Sequence, residues 1–187
     1  DRFETLSKVL IHDTTRNRII VNDVTAVLDN SHRAVILTER KEHIETINQF
    51  LKQKYETVTL CGDDSELSRK QKWTQLNQGN YQVLITTGQF FGEGTDLQNV
   101  EYLFLVYPFS FEGKLVQYIG RVQRSEITPH IYDYRDYKIE YLEKLFLKRN
   151  KYYRKLEKQA SLFDDLAEDD PQQVTTFVVE QEIILPL

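Results

Sequence analysis

The 187 residues hold one cysteine, Cys61, and no methionine. A lone cysteine excludes an internal disulfide and any cysteine cluster for a metal, so a reducing cytoplasm is the expected compartment. A chain that opens on Asp1 and lacks Met is expected to be a piece of a longer protein. No apolar run approaches the ~20 residues of a membrane-spanning helix, no signal-peptide pattern opens the chain, and no repeat recurs. The four histidines, His12, His32, His43 and His130, have no ligand spacing, so no metal site is expected. No nucleophile–base pair is evident either, which argues against a small-molecule α/β enzyme.

What is present is the composition of a soluble globular domain with an uneven charge pattern. The formal net charge is −5. Seven acids and no Lys or Arg fall in residues 159–187, which leaves 24 basic against 22 acidic residues in 1–158. Residues 138–158 carry eight Lys/Arg against three Glu. A near-neutral body with one basic helix and an acidic tail permits a nucleic-acid partner without indicating one.

Hydrophobic periodicity alternates between the strand and helix periods from residue 33 onward. Strands are expected at 33–39, 57–62, 81–86, 100–107 and 128–134. Helices are expected at 41–54, from a Ser65 cap to Gly79, at 112–124 and at 137–158. Such alternation implies an α/β fold, a parallel sheet sandwiched by helices. Residues 1–30 read as a helical lead-in, 31–158 as the body, and 159–187 as an acidic tail with a possible final strand near 175–187.

Ligands in open parallel sheets sit at the carboxyl ends of the strands, and two unusual segments fall there. Thr87-Gly88-Gln89-Phe90-Phe91-Gly92-Glu93-Gly94-Thr95-Asp96 has glycines that permit positive φ and close approach of a phosphate or sugar, although alone it could be a turn with an Asp cap. Gln117-Tyr118-Ile119-Gly120-Arg121-Val122-Gln123-Arg124 places two arginines three residues apart on one helical face. They form a fork suited to polyphosphate, or else two solvated arginines.

In order and spacing, "VLITT", "GEGTD", a further strand and "QYIGRVQR" resemble motifs V and VI of superfamily 2 helicases, in their C-terminal RecA-like domain. "AVILTER" (34–40) resembles motif IV, and "LCGDDSELSRKQKW" resembles the segment that follows it. "TGQFFGEGTDLQNVEYLFLVYPFSFEGKLVQYIGRVQR" and "IYDYRDYKIEYLEKLFLKRNKYY" are similar to a bacterial and phage DEAD/DEAH-type group related to restriction and defence helicases. The resemblance covers roughly residues 10–156.

The resemblance implies roles residue by residue. Arg121 and Arg124 would be arginine fingers on the γ-phosphate of ATP, with Gln117 coupling that site to nucleic acid or nucleotide. Asp96 would contact the nucleotide ribose or fix the arginine loop, and Gly92, Glu93 and Gly94 would shape the nucleotide cleft. Thr38, Arg40, Thr87 and Gly88 would touch a strand backbone, with DNA favoured over RNA and little sequence preference. The 87–96 loop is one residue longer than in DEAD-box proteins. Neither a G-x-x-x-x-G-K-[ST] loop nor a DEAD or DExH box occurs in the sequence. By the resemblance, ATP and Mg²⁺ would be held mainly by an N-terminal RecA-like domain of the same parent, and this half alone would not hydrolyse ATP.

Two features remain. The 137–158 helix mixes tyrosines with Lys148, Arg149, Lys151, Arg154 and Lys155, a pairing that suits single strands. Docking of its apolar stripe on the sheet with the lysines in water is the favoured reading. Gln159-Ala160-Ser161-Leu162-Phe163 resembles the pentapeptide by which bacterial proteins bind the sliding clamp, for which Gln159, Leu162 and Phe163 would be extended and exposed. These residues could equally pack back on the domain. The rival function is a non-catalytic nucleic-acid or clamp-binding adaptor on a degenerate motor lobe.

Overall fold

The computed structural model describes residues 2–29, 31–93, 97, 99–110, 114–123, 129–164 and 177–182. Six strands form one sheet: β1 (Ala34–Thr38), β2 (Thr57–Leu60), β3 (Val83–Thr87), β4 (Tyr102–Leu105), β5 (His130–Arg135) and β6 (Phe177–Glu182). They lie in the order β2-β3-β1-β4-β5-β6, and every pairing is parallel. Parallel strands need crossovers, which the helices supply. α1 (Arg2–His12) and α2 (Thr14–Val27) precede β1, and the crossovers carry α3 (Lys41–Leu51), α4 (Glu66–Asn77), α5 (Gly88–Glu93), α6 (Lys114–Gln123) and α7 (Glu140–Asp164).

Alternation of side chains across the central strand sorts the core into two layers. Val35 and Leu37 of β1 join Leu76 of α4, Phe90 and Phe91 of α5, and Leu115, Ile119 and Val122 of α6. Ala34 and Ile36 face the other way, against Leu10 of α1, Ile20 and Val24 of α2, and Ile44 and Ile47 of α3. All five β1 residues are fully buried, so an unbroken apolar run with a single hydroxyl is what this position requires. Each such aliphatic side chain contributes roughly 1.5–3 kcal/mol. α1 and α2 therefore pack into the same core as the sheet, and residues 177–182 complete its edge.

Local chemistry sets the helix ends. The Ser65 hydroxyl accepts from the Ser68 N–H at 3.1 Å, capping α4. At its other end Gly79 N–H reaches Leu76 O and Asn80 N–H reaches Gln75 O, the reciprocal pair of a Schellman turn. Gly79 takes φ +72°, which glycine adopts without steric cost. Among the described residues no helix is long and apolar enough to cross a membrane.

Two expectations are corrected. Over its described residues, the segment after β3 is not an open glycine loop with positive φ, because Gly88–Glu93 is helical. Phe90 and Phe91 drive this by inserting into the core beneath it. Gln159, Leu162 and Phe163 are not extended, because α7 runs on to Asp164 and takes them in as its last turns.

Candidate functional site

The strand ends on the carboxyl side open into a cleft of about 770 Å³. It is lined by Glu39 and Lys41 after β1, Cys61, Gly62 and Asp63 after β2, Thr87, Gly88, Gln89 and Phe90 after β3, and Gln117 and Tyr118 of α6. Of the residues expected from the sequence, Thr87, Gly88 and Gln117 thus meet in one place. Arg121 stands one turn beyond Gln117 on α6 and is half-exposed.

Helix α6 is divided cleanly between two faces. Leu115, Tyr118, Ile119 and Val122 are buried in the core, while Val116 and Gln117 are exposed. Spacings of three and four bring Gln117, Gly120 and Arg121 onto the outward side. A Cβ on Gly120 would meet nothing within 4 Å, and the same holds for Gly62 across the cleft. Neither glycine is demanded by the packing of this chain, so both leave room for something outside it.

Gly88 is the opposite case. A Cβ there would be driven into the Tyr118 hydroxyl and come within 2.9 Å of the ring's Cε2. This glycine lets the Tyr118 ring lie across the start of α5, edge-on to Phe91 and Phe109 at 6.0 Å each. Burial, and then the charge of Glu39, push the Tyr118 phenol above its ordinary pKa, so it stays a neutral donor facing the cleft. The post-β2 corner is fixed by Asp64, which accepts from the Cys61 N–H at 3.0 Å and from Lys72 Nζ at 2.8 Å. Lys41 pairs with Asp63 across the cleft mouth.

Two buried arginines support the stem from which α6 departs. Arg16 of α2 grips Asp136 through Nε (2.9 Å) and Nη2 (3.1 Å) and donates Nη1 to Val106 O at 2.7 Å. Arg149 of α7 grips Asp133 through Nε (2.7 Å) and Nη2 (3.0 Å) and donates Nη1 to Phe109 O at 2.8 Å. Tyr153 donates its hydroxyl to the same Asp133. Each guanidinium therefore spends a bidentate fork on a carboxylate and a third N–H on the backbone leaving β4. Both are 1% exposed.

Thr38 and Arg40 stand apart from the cleft lining. Thr38 is fully buried, and its hydroxyl lies 2.9 Å from His43 Nδ1. His43 Nε2 lies 3.1 Å from Asn17 Oδ1, and Asn17 donates its amide to Ile11 O at 2.7 Å. With the Asn17 NH₂ committed, its oxygen must accept from Nε2–H, so Nδ1 accepts from Thr38. Thr38 has no surface to offer a strand, which corrects its expected role. Arg40 turns toward α1, where Nη2 meets Glu4 Oε1 at 3.1 Å. Gly92 and Glu93 end α5, whereas Gly94, Asp96 and Arg124 lie outside the described residues.

Sequence reading missed Glu39, Lys41, Cys61, Asp63, Gln89 and Tyr118 as cleft residues. The usable signal was positional, since each follows a predicted parallel strand or lies on α6 beside Gln117. Among the described residues no group of three or more His, Cys, Asp or Glu is placed to hold a metal ion.

The family model described as the helicase conserved C-terminal domain matches residues 3–126, about two thirds of the chain. The chain belongs to the helicase C-terminal domain family. A curated relative, transcript termination protein A18 of fowlpox virus, is 24% identical over 120 residues, covering 63% of this chain and 26% of its own. T4 UvsW superposes with a TM-score of 0.63 at 14% identity, covering 97% of this helicase domain and 37% of UvsW. Dbp5 of S. cerevisiae, solved with RNA and ADP BeF3, gives 0.59 at 13% identity, over 88% of this chain and 38% of its own. At such identities the structures show the fold alone. This helicase domain thus spans about a quarter of the poxvirus relative and just over a third of UvsW. These relatives, from T4, a poxvirus and yeast, do not single out a bacterial or phage group.

Proposed function

We propose that this chain is the second motor lobe of an ATP-dependent nucleic-acid helicase or translocase, closing on a first RecA-like lobe in the same parent protein. The observation that carries the reading is the outward face of α6. Gln117 and half-exposed Arg121 rise beside a cleft built from three strand ends, on a helix whose inner face is committed to the core. Open space at Gly120 and Gly62 suits close approach by a partner surface or its ligand.

Arg121 and Arg124 supply positive charge to the triphosphate as negative charge develops on it, and Gln117 links that site to the strand. Asp96 contacts the nucleotide, and Gly92, Glu93 and Gly94 serve its binding. ATP and Mg²⁺ are held mainly by the first lobe and supply the phosphoryl chemistry, so this lobe contributes transition-state charge and closure. Thr87, Gly88 and Arg40 touch the strand backbone, Arg40 after release from Glu4. Contacts to phosphates position without reading sequence, and DNA is the favoured strand. Clamp binding is left out, because the 159–163 peptide would have to unwind from α7 to bind extended.

The test is nucleic-acid-stimulated ATP hydrolysis by the parent, wild type against Arg124→Ala. A fall of ~10²-fold or more with nucleotide binding retained supports the motor lobe. Unchanged turnover brings forward the adaptor reading, in which the arginines are structural. Hydrolysis by the isolated chain above a contaminant control would also count against the proposal.

A further inference from the structure

Helix α7 carries a second cationic surface that the motor reading does not use. Lys144, Lys148, Lys151, Lys155 and Lys158 are all exposed. Their spacing of four, three, four and three keeps them within one face of a helix, over about 21 Å. The opposite face holds Leu142, Phe146, Arg149 and Tyr153, all buried. Exposed Tyr141 and Leu147 and half-buried Tyr152 border the lysines.

The one acid on the line of this row, Glu140, lies at its start, and from Lys148 to Lys158 no acid falls on it. Glu140 pairs with Lys144 at its first turn, Glu143 is taken by Arg135 and Glu157 by Arg154. Among the described residues Lys148, Lys151 and Lys155 have no ion-pair partner. Like charges at i,i+3 and i,i+4 disfavour a helix by a few tenths of a kcal/mol per pair, and this row contains four such neighbours. An ordinary solvated face would interleave Glu. In a chain of net charge −5, the cations have been collected on one line.

We propose that the exposed face of α7 is a separate binding surface for the phosphodiester backbone of single-stranded nucleic acid, with exposed Tyr141 at its border. Regular cations track phosphates, and aromatics beside them favour a single strand over a rigid duplex. The inference rests on the motor reading only for the kind of polyanion, and its readout needs neither ATP nor the first lobe.

The test is fluorescence anisotropy of the 187-residue chain with labelled dT25 and U25 across a salt series. The variants are Lys148→Gln/Lys151→Gln/Lys155→Gln and, as a charge-matched control, Lys52→Gln/Lys54→Gln/Lys70→Gln at exposed sites elsewhere. Circular dichroism and melting confirm that both stay folded. The α7 variant is expected to bind about tenfold more weakly and to lower the salt slope by about 2, as loss of three phosphate contacts requires. The control should change neither. An effect on dT25, U25 or both supports the surface and names its strand. Equal weakening by the control, unchanged binding by the α7 variant, or no binding by wild type overturns it. Because the arginine-finger variants leave this assay untouched, it fails or succeeds independently of the ATPase test.

Discussion

Three arginines of this domain carry the same guanidinium into two different environments. Arg16 and Arg149 are fully buried, each locked on one carboxylate and one backbone carbonyl of the stem between β4 and α6. Arg121 stands half-exposed on the outward face of the helix that this stem supports. Two helices far apart in sequence, α2 and α7, therefore fix the base from which α6 presents its polar residues. Burial, rather than residue type, separates a structural arginine from one that a ligand can reach.

The comparison breaks most visibly at Arg149. Arg149→Ala leaves Asp133 buried without its cation, and urea unfolding should show a loss of ~3–5 kcal/mol. Arg16→Ala should fall in the same range through Asp136, and a loss below ~1 kcal/mol in either would show that the stem is not held as described. Next comes Gly88→Ala, whose methyl group collides with Tyr118. Overpacking there should cost ~1–3 kcal/mol and perturb α6, read by thermal melting and by loss of the Tyr118 signature in near-UV dichroism.

A smaller effect concerns His43, whose pKa is lowered from 6.5 to about 3 by burial, with the charges of Arg16 and His12 adding to it. The folded state keeps it neutral, while the unfolded chain takes up a proton below pH 6.5. Its contribution is therefore constant above 6.5 and falls as pH drops toward 3. Between neutral pH and 5.5 the loss should be on the order of 1 kcal/mol. The folded His43→Gln variant should lack that part of the acid dependence, and an identical pH profile would refute it. Smallest of all, Arg121→Ala should change stability by no more than about 1 kcal/mol, as expected for a partly exposed side chain.

How much of this could be read from the sequence follows the same division. The strands and their parallel order were legible because fully buried runs such as Ala34–Thr38 leave a continuous apolar signal. The outward residues of α6 were legible because Gln117, Gly120 and Arg121 recur at helical spacing among apolar neighbours. The helix at Gly88–Glu93 was not, since local glycine content argued for a loop while two phenylalanines buried in the core decided for a turn of helix. Nor was Arg149, which sits among lysines in sequence. Only the fold brings Asp133 and Phe109 O to it, from 16 and 40 residues away. Thr38 failed for the same reason: its motif resemblance gives position, but the hydroxyl is claimed by a histidine five residues on.

The account stands most directly on Arg121 in the parent protein. The measurement is the rate of nucleic-acid-stimulated ATP hydrolysis by Arg121→Ala at saturating ATP, with melting of the same sample. A fall of ~10²-fold at unchanged melting is the predicted result. Wild-type turnover, or a loss that tracks unfolding as expected for Arg149→Ala, would contradict it.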